Sequence, residues 1–113
     1  MKTFIVEKPW GKFEQFTHDE VSTVKIITVN IGGSLSLQKH ENRTEFWRVL
    51  SGHPLVTIAD KVIHANPGEE FFIEKTEPHR LEAPDDIVQI LEIAHGIFDE
   101  NDIVRLEDKY GRT

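Results

Sequence analysis

The chain has 113 residues, 20 acidic and 13 basic, for a formal charge of −7, with 38% hydrophobic residues and no cysteine. That length predicts one domain over residues 1–113 without room for a separate nucleotide-binding domain, and the lack of cysteine excludes a disulfide scaffold, a thiolate metal site and a cysteine nucleophile. The acidic balance gives no electrostatic footprint for nucleic acid, and no stretch approaches the roughly 18 apolar residues of a membrane span, so a cytoplasmic protein with neither nucleic-acid nor membrane partner is expected.

The N-terminal stretch MKTFIVEKPWGKFEQF carries charges and a proline where a signal peptide needs an apolar run. Beyond it the apolar pattern is short and two-periodic, interrupted by glycine, proline and acidic turn residues, the pattern of a β-sandwich or barrel. Residues 24–31 (VKIITVNI) form a β-branched run ended by Gly32 and Gly33, and 35–40 (LSLQKH) alternates ahead of the polar turn 41–44. Residues 45–50 break at Ser51-Gly52; 55–59 turn through Asp60-Lys61 into 62–65, which Asn66-Pro67-Gly68 stops. Residues 70–74, 79–83 and 87–94 follow, giving about eight or nine strands in all. Only the C-terminus departs from this: residues 99–102 offer helix N-cap chemistry ahead of 103–106, predicting a short helical turn.

The chemistry concentrates in two places. Gln38 and His40 lie two apart on one predicted strand and so project to the same face, and Glu45 opens the next strand across a short turn. Some forty residues on, His79 stands at the start of another strand. Four potential metal ligands are thus available.

These two segments resemble the paired motifs of the cupin superfamily, G(X)5HXH(X)3,4E(X)6G and G(X)5PXG(X)2H(X)3N. His40, Glu45, Gly52, Gly68 and His79 match in place, Gln38 replaces the first histidine, and Glu74, Thr76 and Ala83 replace the second motif's proline, glycine and asparagine. The resemblance narrows through PWG near the start, LSLQ-x-H-x-x-R-x-E-x-W, H-R-L-x-x-P and D-I-V-R-x-x-D-x-Y-G-R, which look like type II mannose-6-phosphate isomerases from Pro9 to Arg112. There the domain is usually the C-terminal part of a bifunctional enzyme whose other part is a mannose-1-phosphate guanylyltransferase, and only the isomerase part is carried over. Where that family normally reads Q-M-H-x-H-R-x-E-H-W, this chain has Lys39, Asn42 and Phe46 at the methionine and at the second and third histidines.

The resemblance implies an all-β fold, a double-stranded β-helix or cupin jelly-roll barrel, with the short C-terminal helical turn appended. It implies one divalent metal ion per chain held by Gln38, His40, Glu45 and His79. Two imidazoles, a carboxylate and an amide oxygen suit zinc first, with manganese, iron, cobalt or nickel also compatible. Such an ion can polarise a sugar carbonyl and stabilise an enediolate, the step that interconverts mannose 6-phosphate and fructose 6-phosphate. The proton-transfer group is open among Glu74, Lys75, Glu41 and Lys39. For the phosphate, Arg43, Arg80, Arg105 and Arg112 lie in the family-like motifs, and Arg43 is first by motif position, at an expected pocket mouth. Another cupin enzyme, such as an epimerase or dioxygenase, and a non-catalytic sugar- or metal-binding module are the alternatives. His18, His53, His64 and His95 lie outside the motifs and are read as structural or solvated. Small open sheets need their edges covered, so a homodimer is expected.

Overall fold

The computed structural model describes residues 3–99 and 101–112. Eleven strands occur among them, every pairing is antiparallel, and there is no helix, as the two-period apolar pattern predicts. The first two, β1 (Phe4–Lys8) and β2 (Gly11–Gln15), form a hairpin of their own across the two-residue Pro9-Trp10 turn. The sequence signals were there: an alternating run on either side of a Pro-x-Gly turn.

Strands β3 (Ser22–Val29), β4 (Leu37–Lys39), β5 (Arg43–Ser51), β6 (Leu55–Ile58), β7 (Lys61–His64), β8 (Glu70–Ile73), β9 (His79–Glu82), β10 (Val88–Gly96) and β11 (Val104–Glu107) make two further sheets. One runs β3-β10-β5-β8, the other β11-β4-β9-β6-β7. Because side chains alternate across a strand, each sheet turns one row inward. Val29, Trp47, Val49, Ile73, Val88 and Ile90 of the first sheet meet Val56 and Leu81 of the second in a single buried cluster. Burying such side chains contributes about 1.5–3 kcal/mol each, the main force holding the sheets face to face. Gly52, between β5 and β6, has φ of +81°, and a Cβ there would run into the Ile87 carbonyl. Only glycine fits that turn.

The C-terminus corrects one expectation. Where a helical turn is predicted ahead of residues 103–106, Val104–Glu107 are strand β11, paired with β4 through Val104↔Lys39 and Arg105↔Gln38. The N-cap chemistry survives as isolated turns, Asp102 N–H to Asp99 C=O (2.9 Å) and Gly111 N–H to Asp108 C=O (3.2 Å); Glu100 lies outside the described residues. An open β4 edge supplies backbone partners from across the molecule, and that outweighs a local capping preference.

Candidate metal centre

Glu45 sits on β5, in the row that also turns Trp47 and Val49 into the core, while Phe46 and Arg48 turn outward. His79 opens β9 and pairs with Gln38 of β4, and His40 follows directly after β4. One ligand atom from each of His40, Glu45 and His79 lies within 4.8 Å of the others, with His40 Nε2 2.9 Å and His79 Nε2 3.4 Å from Glu45 Oε1. All three side chains are buried, at 3%, 1% and 1% exposure.

Hydrogen bonds fix what these atoms offer. His40 Nδ1 lies 2.6 Å from the Asp102 carbonyl and His79 Nδ1 2.9 Å from the Glu77 carbonyl. A carbonyl only accepts, so each Nδ1 carries a proton and donates it, which leaves a lone pair on Nε2 of the neutral ring. Two imidazole lone pairs and a carboxylate oxygen then face one another, and Glu45 Oε1 and His79 Nε2 are buried without a hydrogen-bond partner. Buried acceptors aimed at a common point call for a cation, and two nitrogens and an oxygen held by carbonyl-anchored rings fit a first-row divalent metal. Glu92, on β10 opposite Trp47, is pushed up to about 8 by burial and then by the neighbouring Glu45 charge. Glu92 also accepts from Trp47 Nε1 at 3.1 Å. The Trp47 ring in turn stands edge-on to His79, 5.5 Å between centroids.

The remaining candidates divide. Gln38 lies at the cluster with Nε2 3.4 Å from His40 Nε2, while its Oε1 accepts from Ser36 Oγ at 2.7 Å. A serine hydroxyl can donate or accept, so a turn of the amide would bring the oxygen to the cluster without losing that bond. Arg43 is not at a solvent-facing mouth: it is 7% exposed, with Nη2 3.3 Å from His40 Nε2, Nε 3.7 Å from Glu45 Oε1 and Nη1 donating to the Asp99 carbonyl at 3.1 Å. Its guanidinium stacks over Phe98 at 4.3 Å. Glu74 and Lys75 are exposed in the turn after β8, and among the described residues they make no hydrogen bond or ion pair with His40, Glu45 or His79. Lys39 and Glu41 face each other at 3.9 Å on the surface.

Arg80 is held by Glu107 and the Leu35 carbonyl, and Arg112 by Asp108. Arg105, on β11, pairs in register with Gln38 of β4. The four histidines outside the motifs each stand against a carboxylate: His18 with Asp19, His53 with Asp86, His64 with Asp85 and His95 with Glu20. Phe46, where the resembled family has histidine, packs on Phe16 on the far side of the sheet, 5.9 Å between centroids, so that departure does not touch the cluster. Glu92 and Asp102 are the functional neighbours that sequence reading missed. A glutamate inside the otherwise apolar run ILEIA was the available signal for the first; for the second it was its place at the head of the D-I-V-R-x-x-D-x-Y-G-R motif. A cavity of about 440 Å³ walled by Gly32, Leu55, Arg80 and Lys109 among others has none of the three cluster residues in its wall.

Residues 2–108 match the family described as mannose-6-phosphate isomerase C-terminal. The chain is 39% identical over 110 residues to the xanthan biosynthesis protein XanB of Xanthomonas campestris pv. campestris, covering 96% of this chain and 24% of that protein. It is 41% identical over 110 residues to the alginate biosynthesis protein AlgA of Pseudomonas aeruginosa, covering 96% and 23%. The chain therefore spans about a quarter of the length of these relatives. Among solved structures, a cupin 2 conserved barrel domain protein from Rhodopseudomonas palustris superposes with a TM-score of 0.65 at 18% identity over 75% of this chain and 59% of that one.

Proposed function

Because the chain belongs to the mannose-6-phosphate isomerase C-terminal family and has the cupin fold, we propose that it is a sugar-phosphate isomerase domain that holds one divalent ion and interconverts mannose 6-phosphate and fructose 6-phosphate. The observation that carries this reading is the convergence of His40 Nε2, His79 Nε2 and Glu45 Oε1, with buried acceptor atoms left unpartnered. His40, Glu45 and His79 would hold the ion, and Gln38 can add its amide oxygen. When bound, the ion supplies Lewis-acid stabilisation of the negative charge that develops on the sugar oxygen as a proton moves between C1 and C2. Zinc stands first for this nitrogen and oxygen set, ahead of manganese, iron, cobalt and nickel.

The chain's own residues do the rest. Trp47 and the core behind it exclude water from the inner side of the cluster. Glu92 stands beside Glu45 as the second carboxyl of a buried pair, with burial pushing it toward its neutral form. Arg43 aims a fixed positive charge and a planar fork at the cluster, the chemistry that recognises a phosphate or a developing oxyanion. A second reading, a sugar- or metal-binding module without turnover, is favoured by the burial of the cluster beneath Arg43 and Phe98.

The test is a coupled assay on mannose 6-phosphate with zinc- and manganese-loaded protein, alongside metal analysis and sugar-phosphate binding. Turnover that is abolished by a chelator and restored by the ion supports the isomerase. Binding without turnover selects the second reading. Protein that takes up neither metal nor hexose 6-phosphate overturns both.

A further inference from the structure

The geometry points to Asp102 as a positioning residue for the metal centre, one that sets the His40 ring through its backbone carbonyl and locks that carbonyl in place with its own carboxylate. Three bonds converge on this residue from the turn that joins β4 to β5. Its carbonyl accepts from His40 Nδ1 at 2.6 Å, its Oδ1 from the Glu41 N–H at 2.9 Å, and its Oδ2 from the Asn42 N–H at 3.0 Å. Consecutive residues 40, 41 and 42 are thus gripped by one residue 60 positions later in the chain. Asp102 is itself held on both sides: its N–H bonds to the Asp99 carbonyl at 2.9 Å, and β11 begins two residues on, paired with Lys39 and Gln38 of β4. The C-terminal segment therefore builds one wall of the site, although the sequence reads Asp102 as an exposed cap.

The consequence for the ring is chemical. Which imidazole nitrogen carries the proton is set by the bond the other nitrogen makes, and a second partner on a ligating histidine fixes both tautomer and orientation. With the Asp102 carbonyl in place, the His40 proton stays on Nδ1 and the Nε2 lone pair points at Glu45 Oε1. Replacing the carboxylate frees the Glu41 and Asn42 N–H groups and lets the carbonyl drift from Nδ1, so the lone pair is no longer held toward the ion. Asp102 supplies no ligand atom to the His40, Glu45 and His79 cluster and acts through His40.

This inference rests on the metal reading above, and the experiment separates the two. Zinc affinity is measured by chelator competition for the parent, Asp102→Ala, Asp102→Asn and, as a charge-matched control at a carboxylate that pairs with His53, Asp86→Asn. In parallel, imidazole nitrogen chemical shifts of the metal-free proteins report the His40 tautomer. The expected result is about a 10- to 100-fold loss of zinc affinity in Asp102→Ala, the usual cost of losing such outer support. Asp102→Asn, which keeps one acceptor oxygen, should lose less, and Asp86→Asn nothing. Metal-free parent should hold His40 as the Nδ1–H tautomer, and Asp102→Ala should show a mixture. Parental zinc affinity and tautomer in a folded Asp102→Ala protein overturn the inference, even if its melting temperature falls, because that is a structural tie alone. Should Asp102→Ala fail to fold, Asp102→Asn is decided by the same two readouts. A parent that binds no zinc defeats the metal reading, and the tautomer measurement still judges Asp102.

Discussion

Replacing Phe46 with histidine would restore the residue that the resembled isomerases carry beside the glutamate, and the fold predicts that this restoration does harm and no good. Phe46 is 5% exposed on the outward row of β5, its ring packed at a tilt against Phe16 and flanked in register by Ile93 of β10 and Phe72 of β8. Burying a phenylalanine contributes about 1.5–3 kcal/mol, and an aromatic pair adds ~0.5–1.5 kcal/mol. An imidazole keeps part of the packing but brings two polar nitrogens to an apolar face, so Phe46→His should cost about 2–3 kcal/mol, a fall in melting temperature of about 10 °C for a domain this size. Urea unfolding of metal-free protein gives the first number, and a chelator-competition titration on the same preparation gives zinc affinity, expected to stay within about twofold of the parent. A variant of parental stability that binds zinc tenfold more tightly would refute the inward–outward assignment of β5, and with it the claim that position 46 lies outside the cluster.

The parent should purify with near one equivalent of metal, and His40→Ala and His79→Ala without it; parental metal content in either variant, by emission spectroscopy, would remove that residue from the ligand set. Because a ligating imidazole must lose its proton, metal should be released as the solution is acidified, and an occupancy independent of pH would count against the site. Turnover in deuterated water should label C2 of mannose 6-phosphate, whereas a hydride shift would leave that carbon unlabelled. The hairpin is tied to the barrel by Arg48, whose hydrogen bonds hold the Glu14 carboxyl at about 2. A carboxyl depressed in the folded state stabilises above its ordinary value near 4.5 and loses that contribution as the pH falls toward 2, so hydrogen exchange in β1 and β2 should accelerate in acid before it does in β10; simultaneous acceleration would show that the pair does not hold the hairpin. A homodimer through β3 is proposed from its position at a sheet edge with Val24 and Ile26 exposed, so Ile26→Lys should shift the sedimentation coefficient to that of a monomer, and a parent already monomeric would dismiss the pairing.

What the sequence determined by itself was everything that depends on near neighbours. Two-residue alternation makes strands, so β3 through β10 could be read along the chain to within a few residues, and the same alternation put Gln38 and His40 on one face. The turn residues that end each strand, Gly52 among them, are legible because a positive φ leaves few choices. Tertiary structure decided what depends on partners distant in sequence. Residues 104–107 carry capping signals ahead of them, yet became a strand because β4 offered a free row of backbone groups. Arg43 lies within the polar turn 41–44 and reads as a pocket-mouth residue, yet it is buried because Phe98 and the Asp99 carbonyl arrive over it from the far end of the chain. Glu92 shares its strand row with Val88, Ile90 and Ala94, so the alternation already turns it inward, but only the β10–β5 register places it opposite Trp47 and beside Glu45, where burial pushes its carboxyl up. Periodicity fixes the face a side chain takes within its own strand; which strand comes to lie against that face is settled only when the whole chain has minimised its unpaired backbone and exposed apolar surface together.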